Sequence, residues 1–254
     1  MSSLFNIAAG GPSGFYNFDV TNSLRFDDGS TANLQKTPSS GDSLTTWTWS
    51  AWIKLGENGV NGTFWSADFN SNQIGITSSR MFIEFFDGSN NNFISSTKLL
   101  RDHSAWYHLV FVWDTSNSTQ ADRIRMYCNS ERITTFNSSS LPTQNRPSKF
   151  NSAVSHEIGR RVNPDGLNFD GYMTEINFID GQALDASSFG ETKSGVWIPK
   201  DTSGLTYGTN GYRLQFKQTG TGTASALTIG ADTSGKDNHY TSVSLIAEDV
   251  VTDS

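Results

Sequence analysis

Apolar and polar residues alternate over short segments throughout the chain. In residues 47–55, WTWSAWIKL, every second residue is apolar, and this period of two is typical of a β-strand with one buried face. The residues on the predicted core face are Trp47, Trp49, Ala51, Ile53 and Leu55. The opposite face carries Thr48, Ser50 and Lys54, with Trp52 as an aromatic exception.

A second strong segment, residues 106–114 (WYHLVFVWD), has apolar residues on both faces. A strand of this kind is expected to lie centrally and to be covered on both sides. Cys128-Asn129-Ser130 separates two further apolar runs and predicts a hairpin turn, because Asn tolerates a positive φ. Further strands are predicted at residues 23–27, 80–87, 155–161, 171–179, 212–217 and 240–246.

No window shows the apolar spacing of a long helix, and one short helical turn is predicted at residues 185–189, with Asp185 as N-cap. The 254-residue chain is 12% aromatic and rich in turn-forming residues. These features predict an all-β protein of short strands and many loops. We expect residues 1–20 to form a Gly-rich arm and residues 21–254 to form one domain, in which residues 191–254 add strands to the same fold.

The net charge of −7 argues against nucleic-acid binding, which needs concentrated basic residues. The basic residues are scattered, and Arg160-Arg161 is their densest pair. No stretch approaches the length of about 18 apolar residues of a membrane span. Cys128 is the single cysteine, so an internal disulfide is impossible. The N-terminal residues lack the pattern of a signal peptide, and we therefore expect no export signal.

The predicted strands resemble, in their order, the laminin-G-like proteins of the concanavalin A-like lectin and glucanase superfamily. The similarity covers residues 22–190. It is carried by SLRFD at 23–27, WSAWIK at 49–54, WYHLVFVWD at 106–114, RMYCN at 125–129, IG at 158–159 and FDGYMTEINF at 169–178. Ser130 departs from the pattern, since the family usually has Gly at this point of the hairpin. The resemblance implies the all-β fold of this superfamily, a two-sheet antiparallel jelly-roll β-sandwich, more strongly than any one function.

The flanking segments resemble laminin-G-like proteins of tailed, often marine, bacteriophages. The segments that carry this resemblance are the Gly-rich start, VWIPK at 196–200, GTNGY at 208–212 and IGADTSGKDNH at 229–239. It implies a non-enzymatic virion protein on the particle surface, as a fibre, spike, tail or capsid decoration, assembled in the host cytoplasm. Its partners would be other virion proteins and further copies of itself, with a trimer as the favoured oligomer.

A glucanase site is the enzymatic alternative, because related jelly-roll glucanases carry E-x-D-x-x-E or E-x-D-x-E on a strand. Here the corresponding stretch is Glu175-Ile-Asn177-Phe-Ile-Asp180, with Asn in place of the middle carboxylate. In a regular strand Glu175 and Asp180 point to opposite faces, and only a bulge would bring them together. We therefore assign no catalytic residue.

The sequence assigns no cofactor or metal site. Calcium is possible, because some laminin-G-like domains hold one ion at a loop rim, and the candidates are Asp27, Asp28, Asp87, Asp114 and Asp170. These aspartates form no spaced motif, and Asp is also a common turn residue. The histidines, His103, His108, His156 and His239, lack the spacing of a zinc site. Cys128 has no neighbouring base in the sequence and is expected to be inert.

Host glycan binding is a possible second role, since sugars stack on aromatic faces. Trp52, Trp65 and Trp197 are the aromatic candidates, and the alternative for each is burial in the core. The preferred function is therefore a phage virion protein with a possible adhesin role. The alternatives are a secreted or surface lectin module of a bacterium and a glycan hydrolase.

Overall fold

The computed structural model describes residues 17–57, 61–69, 72–86, 88–89, 91–162 and 167–252. Most of the predicted arm, residues 1–16, lies outside these ranges, as does the calcium candidate Asp87. Two large antiparallel sheets form a sandwich, which confirms the predicted fold class. The helical structure of these ranges consists of three 3-10 turns, at Gln120–Asp122, Ala186–Ser188 and Ala247–Asp249.

Sheet I contains the two strands with the strongest sequence patterns at its centre. In spatial order its strands are β10 (Glu131–Ile133), β9 (Ile124–Cys128), β8 (Trp106–Asp114), β3 (Thr46–Leu55), β13 (Gly171–Asp180), β1 (Asn22–Phe26) and β18 (Val250–Thr252). Strand β16 (Tyr212–Leu214) also pairs with β13. The predicted hairpin joins β9 and β10, with Asn129 at φ +56°.

Sheet II packs against sheet I. In spatial order its strands are β11 (Phe136–Ser138), β7 (Asn91–Leu99), β6 (Arg80–Phe86), β5 (Gln73–Thr77), β4 (Gly62–Ala67), β12 (His156–Ile158), β2 (Asn33–Lys36) and β17 (Thr241–Val243). A separate hairpin is formed by β14 (Gly190–Lys193) and β15 (Val196–Pro199). Beyond residue 190, then, β16 and β18 pair with sheet I and β17 pairs with sheet II.

The core between the sheets is dominated by indole and phenyl rings. Trp47 stacks on Trp113 at 6.1 Å between ring centroids and meets Trp65 edge-on at 5.8 Å. All five residues of the predicted core face of β3 are buried there. Offset and edge-on aromatic pairs add to the stabilisation from area burial alone.

The outer face of sheet I is covered along most of its length. Val110 and Val112 of β8 pack beneath Ile179, Phe189 and Tyr207 in a second apolar cluster. Burial on both faces confirms the central position predicted for β8. Asp185 caps the 3-10 turn of this covering segment by accepting a hydrogen bond from the amide of Ser187, as predicted.

A third cluster covers the next part of the same face. Trp52 packs there with Trp106 and Val20, so the segment before β1 lies on the outside of sheet I. In the described part of the chain, no helix has both the length and the apolar character needed to cross a membrane.

Candidate functional site

An open cavity of about 350 Å3 lies at one end of sheet I, beyond the covered part of its outer face. We call it the rim cavity. Its lining residues are Arg25, Phe26, Lys54, Leu55, Gly56, His103, Asp170, Gly171 and Tyr172. They come from the ends of β1, β3 and β13 and from the loop that precedes β8.

Strand register brings three of these side chains into one row. Arg25 pairs with Tyr172, and Tyr172 pairs with Lys54 on its other side. Directly paired residues on antiparallel strands point to the same face. The Lys54 ammonium lies 5.8 Å from the centroid of the Tyr172 ring, which is a cation–π distance. The row presents two cationic groups around one half-buried aromatic ring.

Two glycines allow the loop before β13 to close against the end of β3. A Cβ at Gly56 would overlap the carboxylate of Asp170, and a Cβ at Gly171 would overlap the carbonyl oxygen of Lys54. Gly171 also has φ +143°, where side chains are strained. The amide of Gly56 donates to the carbonyl of Asp170 at 3.1 Å. These contacts hold the Asp170 carboxylate at the cavity wall.

One carboxylate, Asp170, lines the cavity, and further acidic groups act on it by their charge. The pKa of Asp170 is raised, first by burial and then by the negative charges of Asp28, Asp27 and Glu57. Arg25 lies 4.0 Å from Asp27 and partly offsets this field. The site therefore combines hydrogen-bond donors and acceptors with a ring, as small-molecule sites do.

Three of the five calcium candidates, Asp27, Asp28 and Asp170, gather near this rim. Asp114 lies apart at the end of β8, where it accepts a hydrogen bond from the hydroxyl of Ser116. Within the described ranges, no three His, Cys, Asp or Glu side chains are grouped closely enough to hold a metal ion.

The family assignment rests on a segment that includes β3 and β13, two of the three strands at the rim cavity. A family model for the concanavalin A-like lectin/glucanases superfamily matches residues 27–188, well over half of the chain. The chain belongs to this superfamily. No match was found among curated proteins.

Solved structures of the superfamily fold are similar at low sequence identity. A proposed carbohydrate binding protein from Bacteroides ovatus matches with a TM-score of 0.59 and 17% identity, over 88% of this chain and 57% of its own. The heptameric SAP-like pentraxin from Limulus polyphemus matches with a TM-score of 0.48 and 15% identity, over 72% of this chain and 93% of its own. Tailspike protein 2 of bacteriophage CBA120 matches with a TM-score of 0.45 and 14% identity, over 66% and 26%. At 17% identity the likeness to the Bacteroides ovatus protein shows the fold alone.

The glucanase-like stretch of this superfamily member does contain a bulge. The pairing of β13 with β3 shifts between Thr174 and Asn177, and Glu175 sits in the bulge with φ +45°. Glu175 forms a buried ion pair with Arg213 at 3.2 Å. Burial raises the pKa of Glu175, and the Arg213 charge opposes that rise. This carboxylate is thus committed to a structural contact.

Asp180 has a different set of partners. It accepts hydrogen bonds from the Asn151 side-chain amide at 2.6 Å and from the backbone amides of Thr209 and Asn210 at 3.1 Å each. Burial raises its pKa, and the hydrogen bond from the Asn210 backbone lowers it. Glu175 is held by Arg213 and Gln215, whereas Asp180 is held by this separate set, so each carboxylate has structural contacts of its own.

The three candidate tryptophans are not free stacking surfaces. Trp65 is 1% exposed in the central core, and Trp52 is 2% exposed under the segment before β1. Trp197 is half-buried on β15 and donates its indole N–H to Nδ1 of His108 at 3.2 Å. Each ring therefore has a packing role.

His108 is enclosed beneath Trp52 and Trp197. Its Nδ1 accepts from Trp197, so the neutral ring carries its proton on Nε2 and donates it to the hydroxyl of Ser50 at 2.8 Å. Burial lowers the pKa of His108 to about 3 and that of His156 to about 4. Burial raises the pKa of the Cys128 thiol to about 11, which makes the thiol unreactive.

Arg25, Lys54 and Tyr172 were missed as site residues by sequence reasoning. Each lies one or two residues from a turn at a strand end, but so do many residues of a sandwich. The sequence does contain one indication of this site, at Asp170-Gly171-Tyr172, where an acidic residue, a glycine and an aromatic residue are consecutive. The partners on β1 and β3 emerge only from the strand register.

Proposed function

We propose that this protein is a non-enzymatic glycan-binding module of a bacteriophage particle, with the rim cavity as its sugar site. One observation carries the glycan site. Strand register assembles an aromatic ring and two cations, and the Asp170 carboxylate lies beside them, around an open cavity of about 350 Å3. Such a volume is in the range of small-ligand sites.

The chemistry of the rim cavity suits a saccharide. The half-buried ring of Tyr172 packs in part against the cluster of Trp52 and Trp106, and its remaining surface offers an apolar wall to the C–H face of a pyranose. Arg25 and Lys54 supply donors, and Asp170 supplies acceptors, for hydroxyl groups. The two cations would also favour a sugar that carries a carboxylate or sulfate group.

Two features support a binding role rather than hydrolysis. Glycoside hydrolysis uses a pair of carboxyl groups about 5–10 Å apart across the scissile bond. On β13 the middle position is Asn177, Glu175 is paired with Arg213, and Asp180 is held by Asn151. Asp170 is the one carboxylate among the described residues that line the rim cavity.

The particle location rests on the resemblance of the flanking segments to laminin-G-like phage proteins. We propose that the module decorates a fibre, spike, tail or capsid, assembles in the host cytoplasm and contacts other virion proteins. A homotrimer would match a symmetric attachment site. Mass spectrometry and cryo-electron microscopy of purified particles test the location. Symmetric copies on the virion would support it, and absence from particles would favour the bacterial lectin alternative.

Glycan binding is tested with the intact protein on a glycan array, followed by calorimetry with each hit. We expect Tyr172→Ala to weaken binding at least tenfold, because the apolar wall of the cavity is lost. Asp170→Asn keeps the size of the side chain and tests its charge. Phe69→Ala is the matched control, since it truncates an aromatic residue that is 65% exposed and does not line the cavity.

The outcomes separate the alternatives. Equal affinity of the Tyr172→Ala variant and the native protein would place the sugar outside the rim cavity. An array without hits would contradict the glycan function. Incubation of each hit with the protein should leave the glycan intact, and shortened products would instead support a hydrolase.

A further inference from the structure

A second cavity, of about 370 Å3, lies between the edge of sheet II and the loop that precedes β17. We call it the β2 cavity. Its lining residues are Gln35, Lys36, Thr37, Ala224, His239 and Thr241. None of them lines the rim cavity. Pairing of β2 with β17 sets Thr241 opposite Gln35, which fixes one wall.

The charge of the β2 cavity is opposite to that of the protein. The chain has a net charge of −7, with 25 acidic and 18 basic residues. The titratable groups that line the cavity are nevertheless two bases, Lys36 and His239, and its other lining residues are uncharged. A concave site lined by one sign of charge concentrates ligands of the opposite sign.

The Lys36 ammonium has no salt bridge with any residue in the described ranges. It is half-buried, and burial lowers its pKa, while the Asp232 charge partly opposes this. A partly desolvated ammonium without a contacting counter-ion is an unfavourable arrangement. An anion in the cavity would relieve it.

Asp232, whose charge raises the pKa of Lys36, has hydrogen-bonding partners of its own. Its carboxylate accepts hydrogen bonds from the backbone amides of Arg213, Ser234 and Asn238, each at 2.8 Å. The Ser234 hydroxyl adds a fourth at 2.9 Å. These contacts hold the loop closed, so Asp232 acts on Lys36 only through its charge.

Donor groups accompany the ammonium at this site. The Nδ1 atom of His239 accepts from the backbone amide of Asp232 at 2.9 Å, so neutral His239 carries its proton on Nε2. The nearest acidic group to Nε2 is Asp237, at 3.7 Å and 90% exposed. The Thr241 hydroxyl accepts from the amide of Ala224 at 3.2 Å and keeps its own hydrogen for donation.

We propose that the β2 cavity is a binding site for an oxyanion, the carboxylate, sulfate or phosphate group of a small ligand, held by Lys36, His239 and Thr241. A charged ammonium and two further donors match the acceptor-rich periphery of such a group. The site is separate from the proposed glycan function of the rim cavity and does not depend on it.

The test is calorimetry of the full chain with sodium sulfate, sodium phosphate, sodium glucuronate and glucose, at constant ionic strength and pH 7. We expect saturable binding of the three anions and none of glucose in the β2 cavity. Tighter binding of glucuronate than of sulfate would indicate an anionic sugar as ligand, and the reverse order would indicate a free inorganic anion. Either order supports an oxyanion site.

Single-residue variants show whether the binding heat measured by calorimetry arises from the β2 cavity. Lys36→Gln should weaken anion binding at least tenfold, and His239→Gln should weaken it severalfold. Lys98→Gln removes a lysine that lines neither cavity and is the matched control, for which we expect unchanged anion binding. Lys54→Gln is measured as well, because it removes a lysine of the rim cavity. Absence of saturable binding, or equal binding by Lys36→Gln and the native protein, would overturn the proposal. Loss of binding in Lys54→Gln alone would assign the anion to the rim cavity and would also overturn it.

Discussion

Arg213 holds Glu175 in an ion pair that is almost fully removed from solvent. The guanidinium Nε and one terminal nitrogen both lie 3.2 Å from Oε2 of Glu175, and the Gln215 amide donates to Oε1 at 2.8 Å. Glu175 is the bulged residue of β13, and its φ of +45° is strained for a side chain with a Cβ. The Arg213–Glu175 ion pair therefore links β16 to the bulge of β13 and stabilises the strained backbone there.

Arg213→Met should lower the free energy of unfolding strongly. The substitution leaves a buried carboxylate without its counter-charge, and breaking such a pair costs on the order of 3–5 kcal/mol. Urea unfolding at pH 7, followed by tryptophan fluorescence, measures the change. The double variant Glu175→Gln/Arg213→Met removes both charges and should recover part of the lost free energy of unfolding.

Lys98→Met is the control for this ion pair. Lys98 contacts Glu131 at 2.7 Å, but the side chains are 37% and 73% exposed. Exposed pairs contribute little to stability, because solvent and salt screen their charges, so we expect a much smaller loss for Lys98→Met than for Arg213→Met. Equal losses in the Arg213→Met and Lys98→Met variants would show that the Arg213 pair is solvated in solution.

The strands of the sandwich were predictable where one face is apolar. The alternation in β3 identified its five core residues correctly, because the side-chain period of a strand is two. The same pattern suggested a polar outer face, yet Thr48 and Ser50 are fully buried. Thr48 donates to the carbonyl of Gln182, so a segment distant in sequence covers this face. The sequence of β3 itself does not indicate that a distant segment will cover its outer face.

The candidate site was less predictable than the fold. The rim cavity joins Arg25, Lys54 and Tyr172, which are separated by long stretches of chain and meet only through the register of three strands. A register shift of one residue would send each side chain to the opposite face. Trp52 is the aromatic exception on the otherwise polar face of β3. The structure gives the reason, because Trp52 packs under Val20 on that face.

Acid should destabilise the protein through its buried histidines. The pKa of His108 is lowered by burial from 6.5 to about 3, so the unfolded chain binds a proton more readily than the folded protein. Stability from this group is therefore present above pH 6.5 and is lost as the pH falls toward 3. At pH 5 the expected loss is about 2 kcal/mol relative to pH 8.

Urea unfolding of His108→Gln at pH 8 and pH 5 measures this contribution. The variant cannot titrate at this position, so its stability should fall by about 2 kcal/mol less than that of the native protein between the two pH values. His103→Gln, which removes an exposed imidazole, is the matched control. An unchanged pH dependence in His108→Gln would mean that the ring is hydrated in solution.

Gly171→Ala should be much more destabilising than Gly195→Ala. Both glycines have positive φ, +143° and +80°, but a Cβ at Gly171 would overlap the Lys54 carbonyl and lie 2.7 Å from the Phe169 ring. A Cβ at Gly195 meets nothing within 4 Å. We expect losses on the order of 3 kcal/mol and 1 kcal/mol, respectively. Similar losses measured by urea unfolding would show that the loop before β13 can move away.

Cys128 should act as an internal reporter of unfolding. It is 1% exposed at the end of β9, and burial raises its pKa to about 11, so at pH 8 only about one thiol in a thousand is ionised. The native protein should therefore fail to react with an aromatic disulfide reagent, whereas the protein in urea should release one equivalent of chromophore. Ser130→Cys adds an exposed thiol two residues away and should release one equivalent when folded and two in urea. Reaction of native Cys128 as fast as the added thiol would show that the end of β9 opens from the core, because the core cluster between the sheets buries the Cys128 side chain.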